Sequence, residues 1–272
     1  MLHNIKNGRI QMGQSHMDYV CFGRGAKPLV FIPGLGDGLR TVKGMALPFA
    51  AMYRRYGAKH RVYVFSRKEP LGEKDSTRDM AAGLAVAMEA LGLRHAYVMG
   101  VSQGGMIAQY LALDHPALVG KLVLAASAAR PSLEMEEAVG GWLRMAREKD
   151  YARLLIDTAE RSYSQGYLKR IRPMYPFLTR VGKPRDYRRF IIQANACLNH
   201  NAYEMLDRIA CPALVSCGGS DCVVGKQAAL EMAAKIPRSR LLIYQGLGHM
   251  IDQESKEFPK DVLDFLNEQI TS

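Results

Sequence analysis

No stretch of this chain approaches the roughly 20 consecutive apolar residues that a membrane-spanning helix needs. Its opening segment, MLHNIKNGRIQMGQSHMDYV, also lacks the apolar run of roughly 7–15 residues that follows a basic start in a secretory signal. A cytoplasmic protein without integral membrane association is therefore expected. Cysteine is scarce: Cys21, Cys197, Cys211, Cys217 and Cys222 are odd in number and contain no CxxC pair. This excludes a disulfide framework or zinc knuckle and favours free thiols in a reducing compartment. HExxH, EF-hand loops and clustered His/Cys/Asp are missing as well, so neither a metal nor a cofactor is expected. Internal repeats and low-complexity tracts are absent too.

What is present is enough for a large core. The chain has 272 residues, of which 48% are hydrophobic. Its formal net charge of +11 is spread out, and the densest cluster is Lys169, Arg170 and Arg172, with Lys183, Arg185, Arg188 and Arg189 following. Those cations lack the aromatic interleaving of a nucleic-acid reader, so no nucleic-acid partner is expected. They read as a solvated basic face, with an acidic substrate or anionic partner as the alternative.

Short apolar runs recur along the chain. Pro28 to Ile32, Arg61 to Phe65, Ala96 to Val101 and Lys121 to Ala125 read as buried strands. Helical spacing separates them: Met80, Leu84, Met88 and Leu91 form one stripe, and Met106, Tyr110, Leu111 and Leu113 another. Strands alternating with helices predict a doubly wound, mostly parallel α/β sheet. Lys6 to Gln11 and Met17 to Phe22 are expected to add an antiparallel pair at one edge. From about residue 131 to 200 the strands stop and helices are predicted over 133–149, 151–163 and 187–198. The breaker-rich stretch Arg172-Pro173-Met174-Tyr175-Pro176 separates the last two. After Pro212 the rhythm resumes with Ala213 to Cys217, a helix near 227–235, Arg240 to Tyr244 and a final helix over about 258–270. The expected organisation is a first core part at 1–130, a helical insertion at 131–200 and a second core part at 201–272.

The strongest chemical signal is Gly100-Val101-Ser102-Gln103-Gly104, a GxSxG between a predicted strand and a predicted helix. A sharp strand-to-helix turn there projects Ser102 as a nucleophile, and the helix N-terminus favours an oxyanion. Serine needs a base. Of seven histidines, His249 follows the last predicted strand, on the sheet edge where functional loops converge. His95 and His115 read as helix-end or turn residues, with His200 held in reserve as a cap residue facing the pocket. The base needs an orienting acid, and Asp221 follows the Ala213 to Cys217 strand; Asp252 is its competitor. The order Ser102, Asp221, His249 suits this elbow. Oxyanion donors are expected from the backbone N–H of Gln103 and of Leu35, with Gly36 next, in the loop Pro33-Gly34-Leu35-Gly36-Asp37-Gly38. That loop is neither GxxxxGK[ST] nor GxGxxG, which argues against a phosphate cradle.

With these motifs in place the sequence resembles the α/β-hydrolase superfamily, particularly its compact capped serine hydrolases such as carboxylesterases, over nearly all of the chain. Pro33 to Gly36, Gly100 to Gly104, Gly219-Ser220-Asp221 and Gly248-His249-Met250 carry the likeness. Two features depart from it. Pro33 stands where many relatives have histidine, and Arg67-Lys68-Glu69-Pro70-Leu71-Gly72 replaces an arginine-glycine-histidine-glycine type of segment, a change expected to reshape the pocket entrance. The resemblance implies that the insertion forms a helical lid, with Trp142, Met145, Leu154, Tyr163, Tyr167, Met174, Tyr175 and Phe177 as pocket candidates. It also implies hydrolysis of a small or medium carboxylic ester through an acyl-enzyme. An acyltransferase, a thioesterase or a C–C bond hydrolase with the same residues, and a non-catalytic small-ligand-binding protein, are the alternatives. The acyl chain, the leaving group and the oligomeric state stay open.

Overall fold

In the computed structural model, which describes residues 3–268, the apolar runs become strands whose alternate side chains enter opposite layers. In chain order the first half contains β1 (Lys6–Met12), β2 (Ser15–Phe22), β3 (Pro28–Ile32), α1 (Ala46–Met52), α2 (Arg54–Gly57) and β4 (Arg61–Phe65). There follow α3 (Thr77–Ala90), β5 (Ala96–Val101), α4 (Gln103–Asp114) and β6 (Val119–Ala125). Five helices come next: α5 (Leu133–Arg147), α6 (Tyr151–Ser162), α7 (Gln165–Ile171), α8 (Tyr175–Leu178) and α9 (Arg188–Leu198). The chain closes with β7 (Ala213–Gly218), α10 (Lys226–Lys235), β8 (Ser239–Tyr244), α11 (Ile251–Glu254) and α12 (Phe258–Asn267).

The sheet order is β1-β2-β4-β3-β5-β6-β7-β8. β1 pairs antiparallel with β2 and β2 with β4, while every later pairing is parallel. The sheet is thus doubly wound and mostly parallel, with the expected antiparallel pair at its edge. Val30, Ile32, Val98 and Leu122 enter the layer that holds Leu84 and Leu111, whereas Leu29, Phe31, Met99 and Val123 meet Phe258 and Val262. Burying such side chains contributes about 1.5–3 kcal/mol each, which makes these two layers the main source of stability.

Register positions the chemistry. Ile32 pairs with Gly100, Val101 with Ala125, Ala125 with Ser216 and Gly218 with Tyr244, so the loops after β3, β5, β7 and β8 open at one carboxyl edge. A third apolar cluster sits at that edge. It joins Met135, Trp142, Leu143, Leu154 and Phe190 of α5, α6 and α9 to Leu35, Met106 and Val223 beside the sheet's carboxyl edge.

Two local expectations need correction. The helices α1 and α2 went unrecognised, because Leu47, Met52, Arg54 and Arg55 blur the apolar stripe with exposed positions. The stretch 172–176 lies between the helices it was expected to separate but is itself helical: Arg172–Met174 is a 3-10 turn leading into α8, with Pro173 and Pro176 both in first-turn positions. Proline is tolerated there because the missing N–H has no helical acceptor. The final helix ends at Asn267, and the expected extension to residue 270 lies outside the described residues.

Candidate active site

β5 ends at Val101 and α4 begins at Gln103, leaving Ser102 alone at the turn with φ 54° and ψ −121°. A positive φ is costly for a residue with a side chain and persists only where the surroundings impose it. Here they do. Ser102 N–H donates to Ala125 O at 2.9 Å, and Ser127 Oγ donates to Ser102 O at 2.8 Å. The flanking glycines are steric necessities: a Cβ on Gly100 would lie 2.3 Å from Gly104 O, and one on Gly104 would lie 1.9 Å from Ile32 O.

His249 and Asp221 arrive from the loops after β8 and β7. His249 Nε2 lies 2.9 Å from Ser102 Oγ, and His249 Nδ1 lies 2.8 Å from Asp221 Oδ2. Burial opposes ionisation of Asp221, but the His249 imidazole and hydrogen bonds from His249 and the Val223 and Val224 N–H groups outweigh it, holding its pKa below the usual carboxylate value. An ionised carboxylate only accepts, so Nδ1 carries the proton and Nε2 is free to accept from Ser102 Oγ–H. Asp252 takes no part in this chain of contacts. Its Oδ2 accepts from Tyr53 Oη at 3.2 Å, and burial raises its pKa.

Gly34 lies against the serine, where a Cβ would be 3.3 Å from Ser102 Cβ. Leu35 opens a 3-10 turn (Leu35–Gly38) and Gln103 opens α4. First-turn N–H groups have no helical acceptor, and among the described residues neither Leu35 nor Gln103 N–H is hydrogen-bonded to another group.

A buried polar network, not anticipated from sequence, joins these two turns. Arg67 Nη2 donates to Pro33 O at 2.6 Å and to Gln103 Oε1 at 2.8 Å, while Gln103 Nε2 donates to Gln193 O at 2.8 Å. Asp37 Oδ2 accepts from Arg189 Nη2 at 2.6 Å, Gln193 Nε2 at 3.2 Å and Arg67 N–H at 3.3 Å. Burial pushes Arg67 down to about 10, with Asp37 opposing the shift, so the guanidinium stays charged at neutral pH. Asp37 is held below the ordinary carboxylate range because Arg189 and Arg67 overcome its burial. The signal available in the sequence was an aspartate in a glycine loop and an arginine just past a strand, both at the carboxyl edge. Arg67, the first residue of the segment 67–72, puts a cation behind the two turns.

The pocket candidates fare unevenly. A cavity of about 320 Å³ opens on Ser102 and His249, and of the eight candidates only Trp142 lines it. Met145 and Leu154 are buried in the cluster between helices, Tyr163 stacks on Tyr167, and Phe177 is exposed. Phe31, Phe49, Met52 and Tyr53 line the cavity instead. His200 does not face it: Nδ1 lies 2.8 Å from Thr77 Oγ1 and Nε2 lies 3.3 Å from Gln109 Oε1. His95 sits at a turn with φ 47°, and His115 caps the end of α4.

Comparison with known proteins decides the family. A family model described as alpha/beta hydrolase fold matches residues 27–252. The chain belongs to the α/β-hydrolase family. It is 28% identical over 204 residues to a protein described as putative carbamate hydrolase RutD of Escherichia coli O157:H7, covering 66% of this chain and 69% of the relative. Among solved structures, an α/β-hydrolase enzyme from a Medee basin deep-sea metagenome library superposes with a TM-score of 0.87 at 18% identity, covering 97% of this chain and 99% of that one. An enol-lactonase from Burkholderia xenovorans LB400 gives 0.81 at 20% identity, covering 96% and 100%. A thermophilic esterase from Thermogutta terrifontis gives 0.76 at 16%, covering 96% and 98%. At these identities the likeness of this α/β-hydrolase to solved structures is one of fold. No helix among the described residues is long and apolar enough to cross a membrane.

Proposed function

We propose that the protein is a serine hydrolase that cleaves a small or medium carboxylic ester through a covalent acyl-enzyme. The observation that carries this reading is the unbroken line from Asp221 through His249 to Ser102 Oγ, with contacts of 2.8 and 2.9 Å, ending in a mostly apolar cavity. His249 Nε2 takes the Ser102 proton as Oγ attacks the ester carbonyl. Asp221 stays ionised and stabilises the imidazolium. The Leu35 and Gln103 N–H groups receive the developing oxyanion. The imidazolium then protonates the leaving alcohol, and water activated by the same base releases the acid.

On this reading residues 131–200 form a helical lid over the carboxyl edge, between core parts 1–130 and 201–272. Trp142 from that segment faces the cavity beside Ser102, which supports the assignment. The five unpaired thiols fit a reducing compartment, which supports a cytoplasmic location. Similarity to a carbamate hydrolase favours a carbamate as second reading, since its carbonyl would use the same groups.

The test pairs a panel of esters, thioesters and carbamates with labelling by a small fluorophosphonate. Ester turnover and a covalent label, both lost in Ser102→Ala, are expected. Folded protein with neither turnover nor label refutes the proposal, and carbamate turnover well above ester turnover replaces it with the second reading.

A further inference from the structure

Resting on that reading, we propose that Arg40 recognises a carboxylate on the substrate, so that the preferred esters carry an ionised acid of their own. The ionisable side chains lining the cavity are Asp37, Arg40, Tyr53, His249 and Asp252. Their charges do not cancel evenly. Asp37 is answered by Arg189 at 2.6 Å and by the neighbouring Arg67, so two guanidinium groups face one carboxylate behind the oxyanion turn. The Asp252 carboxyl accepts from the Tyr53 hydroxyl, its other oxygen is sealed from solvent without a partner, and burial favours its neutral form. The charge of Asp221 lies behind His249, held by that ring and two backbone N–H groups.

Arg40 is the guanidinium among these lining side chains. Among the described residues its guanidinium makes no ion pair and no side-chain hydrogen bond, unlike Arg189, which joins both Asp37 and Glu69. Its backbone is tied to the reacting centre: Arg40 N–H donates to Gly36 O at 3.0 Å, on the loop that carries Leu35. An unpaired cation at the rim of a cavity with chiefly apolar walls suits an acyl or alkoxy chain ending in a carboxylate. The chain would lie on Phe31, Phe49 and Met52, and the guanidinium fork would pair with the terminal oxygens. A neutral ester of equal length fills the walls and leaves the cation unanswered.

The experiment measures kcat/KM for methyl hydrogen glutarate and adipate against methyl esters of the same length with a methyl terminus, and for 3-acetoxypropanoate, which carries the acid on the leaving group. The acid-to-neutral ratio is expected to exceed about tenfold in the wild type, to collapse toward one in Arg40→Met and to fall further in Arg40→Glu. Whichever acid ester shows the dependence places the carboxylate on the acyl or the alcohol side. A wild-type ratio of one or below, or a ratio unmoved by both substitutions, overturns the inference. Failure of the underlying reading looks different: folded protein shows neither turnover nor label, or turnover and labelling survive in Ser102→Ala. Should none of these esters turn over, glutarate and butyrate are compared as protectants against fluorophosphonate labelling. Stronger protection by glutarate that disappears in Arg40→Met supports the inference, and equal protection overturns it.

Discussion

Replacing Arg67 by methionine should slow acylation as well as loosen the fold. Arg67 Nη2 alone bridges the side chain of Gln103 and the carbonyl of Pro33, two residues before Leu35, and so braces both turns whose N–H groups are proposed to receive the oxyanion. Losing two hydrogen bonds from a charged donor costs about 1.5–3 kcal/mol each. Part of that is returned, because Nε and Nη1 of Arg67 are buried without partners and methionine removes their desolvation penalty. Asp37 keeps Arg189 at 2.6 Å, so it is not stranded as an unpaired charge. The net loss of stability is therefore about 1–3 kcal/mol.

Catalysis answers to a different quantity. Complete loss of one oxyanion donor lowers kcat by about 10²–10³. The Pro33 loop retains other restraints, since Asp37 N–H donates to Gly34 O at 3.2 Å and Gly38 lies against Phe190, where a Cβ would be 2.7 Å from its Cα. A drop in kcat of about 10–100-fold, with KM within about threefold, is expected for Arg67→Met. Steady-state hydrolysis of a chromogenic ester, measured at least 15 °C or so below the midpoint of thermal unfolding, reads it. Arg67→Lys supplies the control: it preserves charge beside Asp37 but gives up the planar fork, so it should recover stability more than kcat. Wild-type kcat in folded Arg67→Met, or full recovery of kcat by lysine, would refute the bridging argument.

Three further outcomes follow from other contacts. Asp221→Asn should lower kcat about 10⁴-fold by imposing the wrong His249 tautomer, whereas Asp252→Asn should cost less than about tenfold; parallel ester assays decide which carboxyl orients the imidazole. His200 is buried and pushed down to about 3 from an ordinary 6.5, so it takes up a proton on unfolding, and its contribution is intact above 6.5 and lost as pH falls from there toward about 3. Urea unfolding across that window should fall less steeply for His200→Gln than for wild type, by about 1.4 kcal/mol per pH unit, and equal slopes would sink the assignment. Lys121 Nζ donates to Phe265 O, Leu266 O and Glu268 O at 2.7, 3.1 and 2.7 Å, pinning the end of α12 beneath β6. Lys121→Met should lose about 2–3 kcal/mol in urea unfolding and expose the C-terminal helix to limited proteolysis, and unchanged stability would show those contacts to be idle.

The sheet and the line from Asp221 to Ser102 were legible because both are written locally. A buried parallel strand needs an unbroken apolar run, and Gly100 is demanded by the Gly104 carbonyl only four residues on, while Gly104 answers to the Ile32 carbonyl at the end of the neighbouring strand. The position of a loop at the end of a strand then follows from topology, which is how His249 was separated from His95, His115 and His200. What escaped is set by distant partners. Trp142, Met145, Leu154 and Phe177 look alike as members of amphipathic segments, yet one lines the cavity, two fill the space between helices and one is exposed. Periodicity reports that a helix has an apolar face and is silent on which surface covers it.

Arg67 shows the same limit from the polar side. Its sequence neighbours Lys68, Glu69 and Pro70 give it the look of a surface charge, and its value comes from Asp37, Gln103 and Pro33, which the sheet order brings together. Once β3 and β5 lie side by side, the turns that follow them need a common anchor, and a planar guanidinium can bond two oxygens at once where an aliphatic side chain bonds none. Among the described residues the same packing gives Arg40, near the start of that region, no carboxylate partner, whereas Arg189 takes both Asp37 and Glu69. Two arginines of similar appearance in sequence are thereby divided: one is consumed in holding the backbone donors, and the other is free to face a ligand.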